Sequence, residues 1–150
     1  MEQSLRARVG HVEITGRVDR LERDAEGRAV VVDLKTGSTP VPPADLDRHP
    51  QLGVYQLAVM LGAFERFGLT AAGGAELVQV GKASLKAGAR VQSQPALAED
   101  RDPQWAKALL DAVAAGMARK DFDARVNPGC RNCPVRSCCP AQPEGEQVAP

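Results

Sequence analysis

Three charged side chains in the first third of the chain have the types and spacing that divalent-metal chemistry requires. Asp33 and Lys35 are two residues apart on a predicted strand, so both side chains point to one face of it. Asp19 belongs to the preceding strand, and a hairpin closed near Ala25 brings its carboxylate beside that of Asp33. Two adjacent carboxylates repel each other, and a divalent cation is the usual remedy. Mg²⁺ suits such a site because it binds one or two carboxylates and completes its shell with water and phosphate oxygens.

The same charges also allow a purely structural interpretation. The spacing Asp-x-Lys arises often by chance, and Lys35 could form a salt bridge with Asp19 or Asp33 at a strand end. A lysine beside a metal site could instead activate a water molecule or stabilise charge on a phosphate. Spacing alone leaves both interpretations open.

The four cysteines lie close together near the C-terminus, at Cys130, Cys133, Cys138 and Cys139. A disulfide framework spreads its cysteines to join distant segments, whereas a C-x₂-C spacing is typical of metal ligands. The segment therefore predicts a metal site, with a local disulfide or spare thiols as the alternative. Zn²⁺ is one candidate metal. Because neighbouring Cys138 and Cys139 point in different directions in most backbone conformations, three thiolates with an external fourth ligand fit zinc better than four from this window.

Hydrophobic periodicity predicts the elements that must position these residues. Strands are predicted over 11–21, 29–34 and 75–80, helices over 50–67 and 104–120, a turn over 24–27 and a polar loop over 82–101. Gly16 in the middle of the first strand suggests a bulge or a close backbone approach, and Gly68 is expected to end the first helix. This order predicts an α/β domain with a central sheet flanked by helices.

Composition sets limits on the class of protein. The chain has 150 residues, of which 43% are hydrophobic and 25% charged, as in one folded domain. Its formal net charge is zero, so it lacks the basic excess of a pure nucleic-acid binder. No apolar run approaches the roughly 18 residues that cross a bilayer, and the first residues lack the apolar h-region of a signal peptide. A cytoplasmic protein with no membrane partner is expected.

Four motifs in order resemble the nuclease domain of the RecB and AddB family, within the PD-(D/E)XK superfamily. They are the strand Gly16-Arg17-Val18-Asp19, the strand Val31-Val32-Asp33-Leu34-Lys35-Thr36-Gly37, the helix motif from Gln51 to Tyr55, and the cysteine segment from Cys130 to Pro140. Together they are specific, although each alone would be weak. The resemblance implies a restriction-endonuclease-like core with a central mixed sheet flanked by helices and a C-terminal cysteine knuckle. Because Met1 stands ten residues before the first predicted strand, we expect the N-terminal helix of that fold to be missing.

The resemblance also implies a role for each matched residue. By this resemblance, the ligands of a catalytic Mg²⁺ or Mn²⁺ are Asp19, Asp33 and the backbone carbonyl of Leu34. Lys35 would position or deprotonate the attacking water. Gln51 and Tyr55 share one helix face and would hold substrate or catalytic groups. An ordinary core role for Tyr55 and a helix-terminal role for Gln51 remain the alternatives.

The cysteine segment is similar to the iron–sulfur segment of the same family. Cys130, Cys133 and Cys139 match its C-x₂-C-x₅-C spacing and imply a [4Fe–4S] cluster, with Zn²⁺ as the alternative. Family members with a cluster take the fourth cysteine from upstream of the nuclease motifs, but no cysteine precedes Cys130. Either the fourth ligand lies outside this chain, or Cys138 replaces it, or the cluster is absent.

The function implied by the resemblance is that of a metal-dependent DNA exonuclease domain. It would hydrolyse phosphodiester bonds as the C-terminal module of a helicase–nuclease in double-strand-break repair, with DNA and a helicase domain or subunit as partners. Expected domains are a nuclease core over 1–125, a cluster-binding segment over 126–140 and a disordered tail over 141–150. The alternatives are a catalytically inactive RecB-like scaffold and a stand-alone exonuclease of the CRISPR-adaptation type.

Overall fold

The computed structural model describes residues 2–37, 39–84, 88–121, 123–143 and 145. The chain divides into two compact units, residues 1–114 and 115–150. None of the helices in the described ranges is long and apolar enough to cross a bilayer.

The first unit contains two β-sheets. Two antiparallel strands, β1 (Gln3–Val9) and β2 (Val12–Val18), form the smaller sheet. The larger sheet has the order β3-β4-β5-β6, with strands at Arg20–Arg23, Ala29–Lys35, Ala72–Ser84 and Gly88–Gln94. The central pair β4 and β5 is parallel, and both outer pairs are antiparallel. This arrangement confirms the predicted mixed sheet.

The predicted strand over 11–21 is in fact two strands that separate at Asp19. The first, β2, pairs with β1, which the sequence analysis missed, and the second, β3, pairs with β4. Gly16 lies opposite Leu5 in an unbroken register, so the bulge expected there is absent. The turn before β4 is as predicted, and Gly27 has a φ of 83° that favours glycine.

Three α-helices accompany the sheets: α1 (Pro43–Leu46), α2 (Pro50–Met60) and α3 (Trp105–Met117). The prediction that the central helix continues to residue 67 was wrong. Gly62 adopts a φ of 85°, which the α-helix does not allow, and a short 3₁₀ turn follows over Glu65–Phe67. Gly68, at a φ of 67°, ends that turn rather than the helix.

The predicted polar loop over 82–101 contains the strand β6. Burial alternates only over its last three residues, and the two buried positions there are the glutamines Gln92 and Gln94. A search for apolar residues at alternate positions therefore fails on this strand.

Helix α2 lies between the two parallel strands in sequence and packs on the face of the larger sheet that carries Val31 and Leu77. These residues and Leu52, Val59 and Phe64 are almost completely buried in one core. A helix is the usual connection between parallel strands, because the chain must return to the opposite end of the sheet.

The second unit contains the cysteines. Two 3₁₀ turns are formed by Pro128–Asn132 and Arg136–Cys138. Of the predicted disordered tail over 141–150, residue 144 and residues 146–150 lie outside the described residues.

Candidate active site

The two candidate metal ligands occupy facing positions at the end of the β3–β4 ladder. Arg20, the first residue of β3, pairs with Val32. Asp19 precedes Arg20 and Asp33 follows Val32, so continuing the antiparallel register places the two aspartates opposite each other. The Asp19 carboxylate accepts a hydrogen bond from the backbone N–H of Leu34, with an Oδ2–N distance of 2.7 Å. This contact joins the start of β3 to the end of β4.

The carboxylate of Asp33 is the centre of a network of polar side chains. Only 6% of Asp33 is exposed. Its Oδ2 lies 2.8 Å from Nζ of Lys35, and its Oδ1 accepts a hydrogen bond of 2.9 Å from Nε2 of Gln51. Lys35 in turn donates to Oε1 of Gln51 at 2.8 Å. Gln51 thus forms hydrogen bonds with both members of the ion pair, the Asp33 carboxylate and the Lys35 ammonium group.

Tyr55 extends this network by one helical turn. Nε2 of Gln51 also donates to the Tyr55 hydroxyl at 2.9 Å, as the spacing of four residues on α2 allows. Both side chains are half-buried. The structure therefore brings together Asp33, Lys35, Gln51 and Tyr55, from the end of β4 and the first turns of α2.

Buried glutamines hold the connection that leads into α2. Gln92 donates to the carbonyl of Val41 at 2.8 Å and accepts from its N–H at 3.1 Å. Gln94 donates to the carbonyl of Leu46 at 3.0 Å and to that of His49 at 3.3 Å. A buried amide must satisfy its hydrogen bonds, so these contacts fix the path of the backbone and the position at which α2 begins.

Two glycines permit close backbone approaches around the network. A Cβ atom on Gly53, between Gln51 and Tyr55 on α2, would lie 2.2 Å from the Trp105 ring. A Cβ atom on Gly81, in β5, would lie 1.9 Å from the carbonyl oxygen of Thr36. The segment that follows Lys35 is therefore packed directly against the β5 backbone.

His49, immediately before α2, is a further titratable group near the network. Its ring is half-buried, and its Nδ1 is buried without a hydrogen-bond partner. Burial lowers the pKa of His49, and the positive charge of Lys35 lowers it further, while Asp33 and Asp45 oppose the shift. The neutral imidazole is therefore favoured.

A sequence model of the PD-(D/E)XK nuclease superfamily matches residues 1–140. The chain belongs to this superfamily. No curated protein sequence matches it significantly. Among solved structures, the crystal structure of SSO0001 is similar, with a TM-score of 0.51 and 21% sequence identity. The similarity covers 94% of this chain and 59% of that chain, and it supports the restriction-endonuclease-like fold.

PD-(D/E)XK nucleases generally use divalent metals, and the donor set here suits one. Asp19 and Asp33 offer two carboxylates at the same end of the β3–β4 ladder, and Oδ2 of Asp33 is buried with an ion pair to Lys35 but no hydrogen bond. Mg²⁺ needs only one or two carboxylates. Within the described residues, no three histidine, cysteine or acidic side chains form a metal-holding group, so a cage made wholly of protein is not present there.

The four cysteines of the second unit are free thiols. Cys130 accepts a weak hydrogen bond from the N–H of Asn127 at 3.3 Å, and Cys138 lies 3.4 Å from the carbonyl of Val135. Three of the thiols are half-buried and Cys138 is exposed. The absence of a disulfide leaves them available as ligands, although among the residues described they are not gathered around one point.

Several residues that shape this site were not found from the sequence. The buried glutamines Gln92 and Gln94 and the glycines Gly53 and Gly81 act through residues far away in the chain. In the sequence, the two glutamines are marked only as polar residues at alternate positions within 88–94. The two glycines are marked only by their place inside a helix or strand pattern.

Proposed function

We propose that this chain is a Mg²⁺-dependent DNA nuclease domain that hydrolyses phosphodiester bonds. The observation that carries the proposal is the shared contact of Gln51 with Asp33 and Lys35, which joins the end of β4 to the start of α2. A simple strand-end salt bridge would need no such third partner. Asp19, Asp33 and the backbone carbonyl of Leu34 would hold the cation.

A cation at these carboxylates would stabilise negative charge on a phosphate and make water more acidic. Lys35 would orient the attacking water through its ammonium group, which lies beside Asp33 and is partly exposed, or would accept the water's proton in its neutral amine form. Gln51 would hold the Lys35 and Asp33 side chains in their relative positions through its amide. Tyr55, which is hydrogen-bonded to Gln51, would present its hydroxyl to the same network of side chains.

The wider context of this proposal rests on the RecB-like motif string. We propose an exonuclease module at the C-terminus of a helicase–nuclease that acts in double-strand-break repair, with a helicase domain or subunit as partner. The motifs from Gly16 to Tyr55 support the RecB-type assignment, since they occur together and in order.

For the cysteine segment we propose a [4Fe–4S] cluster held by Cys130, Cys133 and Cys139, with a fourth cysteine from outside this chain. The free thiols and the C-x₂-C-x₅-C spacing support it. Cluster binding would have to draw the thiols together, and it would contribute folding free energy to the segment over 126–140. In this proposal, the nuclease core extends over 1–125 and the tail over 141–150.

The nuclease proposal is tested by variants that preserve shape in the full-length protein. We expect Asp33→Asn and Lys35→Met each to lower the rate of DNA cleavage in Mg²⁺ by at least about a thousandfold, since each removes a group used in the chemical step. End-labelled single-stranded and duplex DNA would report the rate and polarity. Dissociation constants for DNA should change by less than about threefold if these groups act in the transition state.

A matched control is available on α3, where Lys107 and Asp111 form an ion pair of 2.7 Å. Asp111→Asn and Lys107→Met remove the same charges away from the network and should leave the cleavage rate unchanged. Equal activity of all four variants, or no cleavage by the unmodified protein in Mg²⁺ or Mn²⁺, would contradict the nuclease proposal. The second result would favour the scaffold alternative.

A further inference from the structure

Gln79 lies beside the candidate site on the neighbouring strand. In the parallel ladder between β4 and β5, Lys35 pairs with Gln79 and Asp33 pairs with Leu77. Residues paired in this way extend from the same face of a sheet, and the strands are about 4.8 Å apart. The burial pattern agrees: Asp33, Leu77 and Gln79 are buried, whereas Leu34 and Val80 are exposed.

The side chain of Gln79 differs from other buried glutamines of this unit. Gln79 is only 8% exposed, yet its Oε1 is buried without a hydrogen-bond partner. By contrast, Gln56 is fully buried and bonds to Gln94, Pro95 and the N–H of Leu97. A buried amide oxygen without a hydrogen bond is costly, so its retention requires a reason.

The state of Lys35 supplies that reason. Its ammonium group now lies 2.8 Å from Oδ2 of Asp33. A cation bound at Oδ2 would displace the ammonium group from this position, because two positive charges would compete for one oxygen. Lys35 would keep its hydrogen bond to Oε1 of Gln51 but would need a second acceptor in place of the carboxylate, since a partly buried ammonium group is costly when poorly paired. Gln79 is the residue paired with Lys35 in the β4–β5 ladder, and its Oε1 is such an acceptor.

We propose that Gln79 is a positioning residue that accepts the Lys35 ammonium group when a divalent cation occupies Asp33. The proposal rests on the metal-dependent nuclease function proposed above. In this arrangement Gln79 favours cation binding indirectly and holds Lys35 beside the scissile phosphate. The register of the ladder between β5 and β6 shifts between Gln79 and Ser84, as strands often do next to functional sites.

The test measures Mn²⁺ binding to the full-length protein by calorimetry, without DNA. We expect Gln79→Met to weaken Mn²⁺ binding about tenfold, the loss expected for a hydrogen bond to a charged group. Thermal stability without metal should be unchanged or higher, since the variant removes an unsatisfied polar group. In a Lys35→Met background, Gln79→Met should change Mn²⁺ affinity less than twofold, because the side chain through which it acts is gone.

The outcomes separate this inference from the nuclease proposal. Weaker Mn²⁺ binding by Gln79→Met that persists in the Lys35→Met background would overturn the inference, because Gln79 would then act without Lys35. If Asp33→Asn abolishes Mn²⁺ binding and Gln79→Met leaves it unchanged, the inference fails and the proposed metal site stands. If Asp33→Asn leaves Mn²⁺ binding unchanged, the metal site and the inference fail together.

Discussion

The Asp33 carboxylate illustrates how one buried charge is accommodated. A carboxylate with so little contact with water is stable only when charged and polar partners surround it. Lys35 supplies the opposite charge and Gln51 an amide N–H, both from positions within hydrogen-bond distance. Lys35 therefore acts as the counterion of Asp33 in the arrangement seen here. A cation would take over that role, which couples metal binding to movement of the lysine.

His49 provides a prediction at the same scale. Its folded-state pKa lies below the ordinary value of about 6.5 because of burial and the charge of Lys35. As pH falls below about 6.5, the unfolded chain therefore binds a proton that the folded chain binds only at lower pH, and the folded state loses stability. Urea unfolding between pH 7.5 and pH 5 should show a steeper loss for the unmodified protein than for His49→Gln.

Comparing the two proteins removes the contribution of carboxylates that titrate in both. If their free energies of unfolding fall in parallel over this range, the lowered pKa of His49 is refuted.

At the scale of elements, the site depends on how β4, β5 and α2 meet. The segment after Lys35 lies against the β5 backbone at Gly81, and the start of α2 is held by Gln94 through the carbonyls of Leu46 and His49. Both contacts fix the end of β4 relative to the first turn of α2. The short distances from Gln51 to Asp33 and Lys35 require that alignment.

Substitution of Gly81 tests this packing. A Cβ atom there would lie 1.9 Å from a backbone oxygen of Thr36, which cannot rotate away as a flexible side chain can. We expect Gly81→Ala to lower the free energy of unfolding by about 1–3 kcal/mol, a typical cost of overpacking. In α3, Gly116 has nothing within 4 Å of an added Cβ, so Gly116→Ala should leave stability equal or slightly higher. Denaturant titration of both variants measures these free energies of unfolding. Equal stabilities of the two variants would contradict the close packing of Gly81 against Thr36.

At the scale of the whole molecule, the cysteine segment belongs to a unit separate from the sheet and its network. Its thiols form no disulfide, so side-chain cross-links within this segment would come from a metal or cluster. Because the proposed fourth ligand lies outside the chain, the proposal makes assembly of this unit depend on the segment or subunit that supplies that ligand.

Anaerobic reconstitution tests this dependence. Residues 1–150 alone should bind a four-iron cluster poorly, because three matched thiolates leave one iron without its cysteine. Addition of a segment or subunit that supplies the fourth cysteine should allow full binding, as judged by iron and sulfide content and by visible absorbance. A complete cluster on residues 1–150 would identify Cys138 as the fourth ligand. Stoichiometric zinc without iron would identify the structural zinc site instead.

Local patterns in the sequence predicted much of the fold and of the candidate site. The apolar run of β4 and the helical spacing of α2 predicted the elements that carry Asp33, Lys35, Gln51 and Tyr55. The order of elements predicted the mixed α/β fold, and the motif string predicted the superfamily. Such features are readable because side-chain periodicity and turn residues act over a few positions.

The tertiary structure decided which strands pair and what supports the site. The chain separates at Asp19 so that β2 pairs with β1 and β3 pairs with β4, although one alternating pattern runs through both. The buried residues of strand β6 are glutamines that bond to backbone groups some fifty residues away, as Gln92 does with Val41. Gln79 stands beside Lys35 only through the parallel register. Each of these depends on partners distant in sequence, and a residue's polarity does not reveal which distant backbone group will satisfy it.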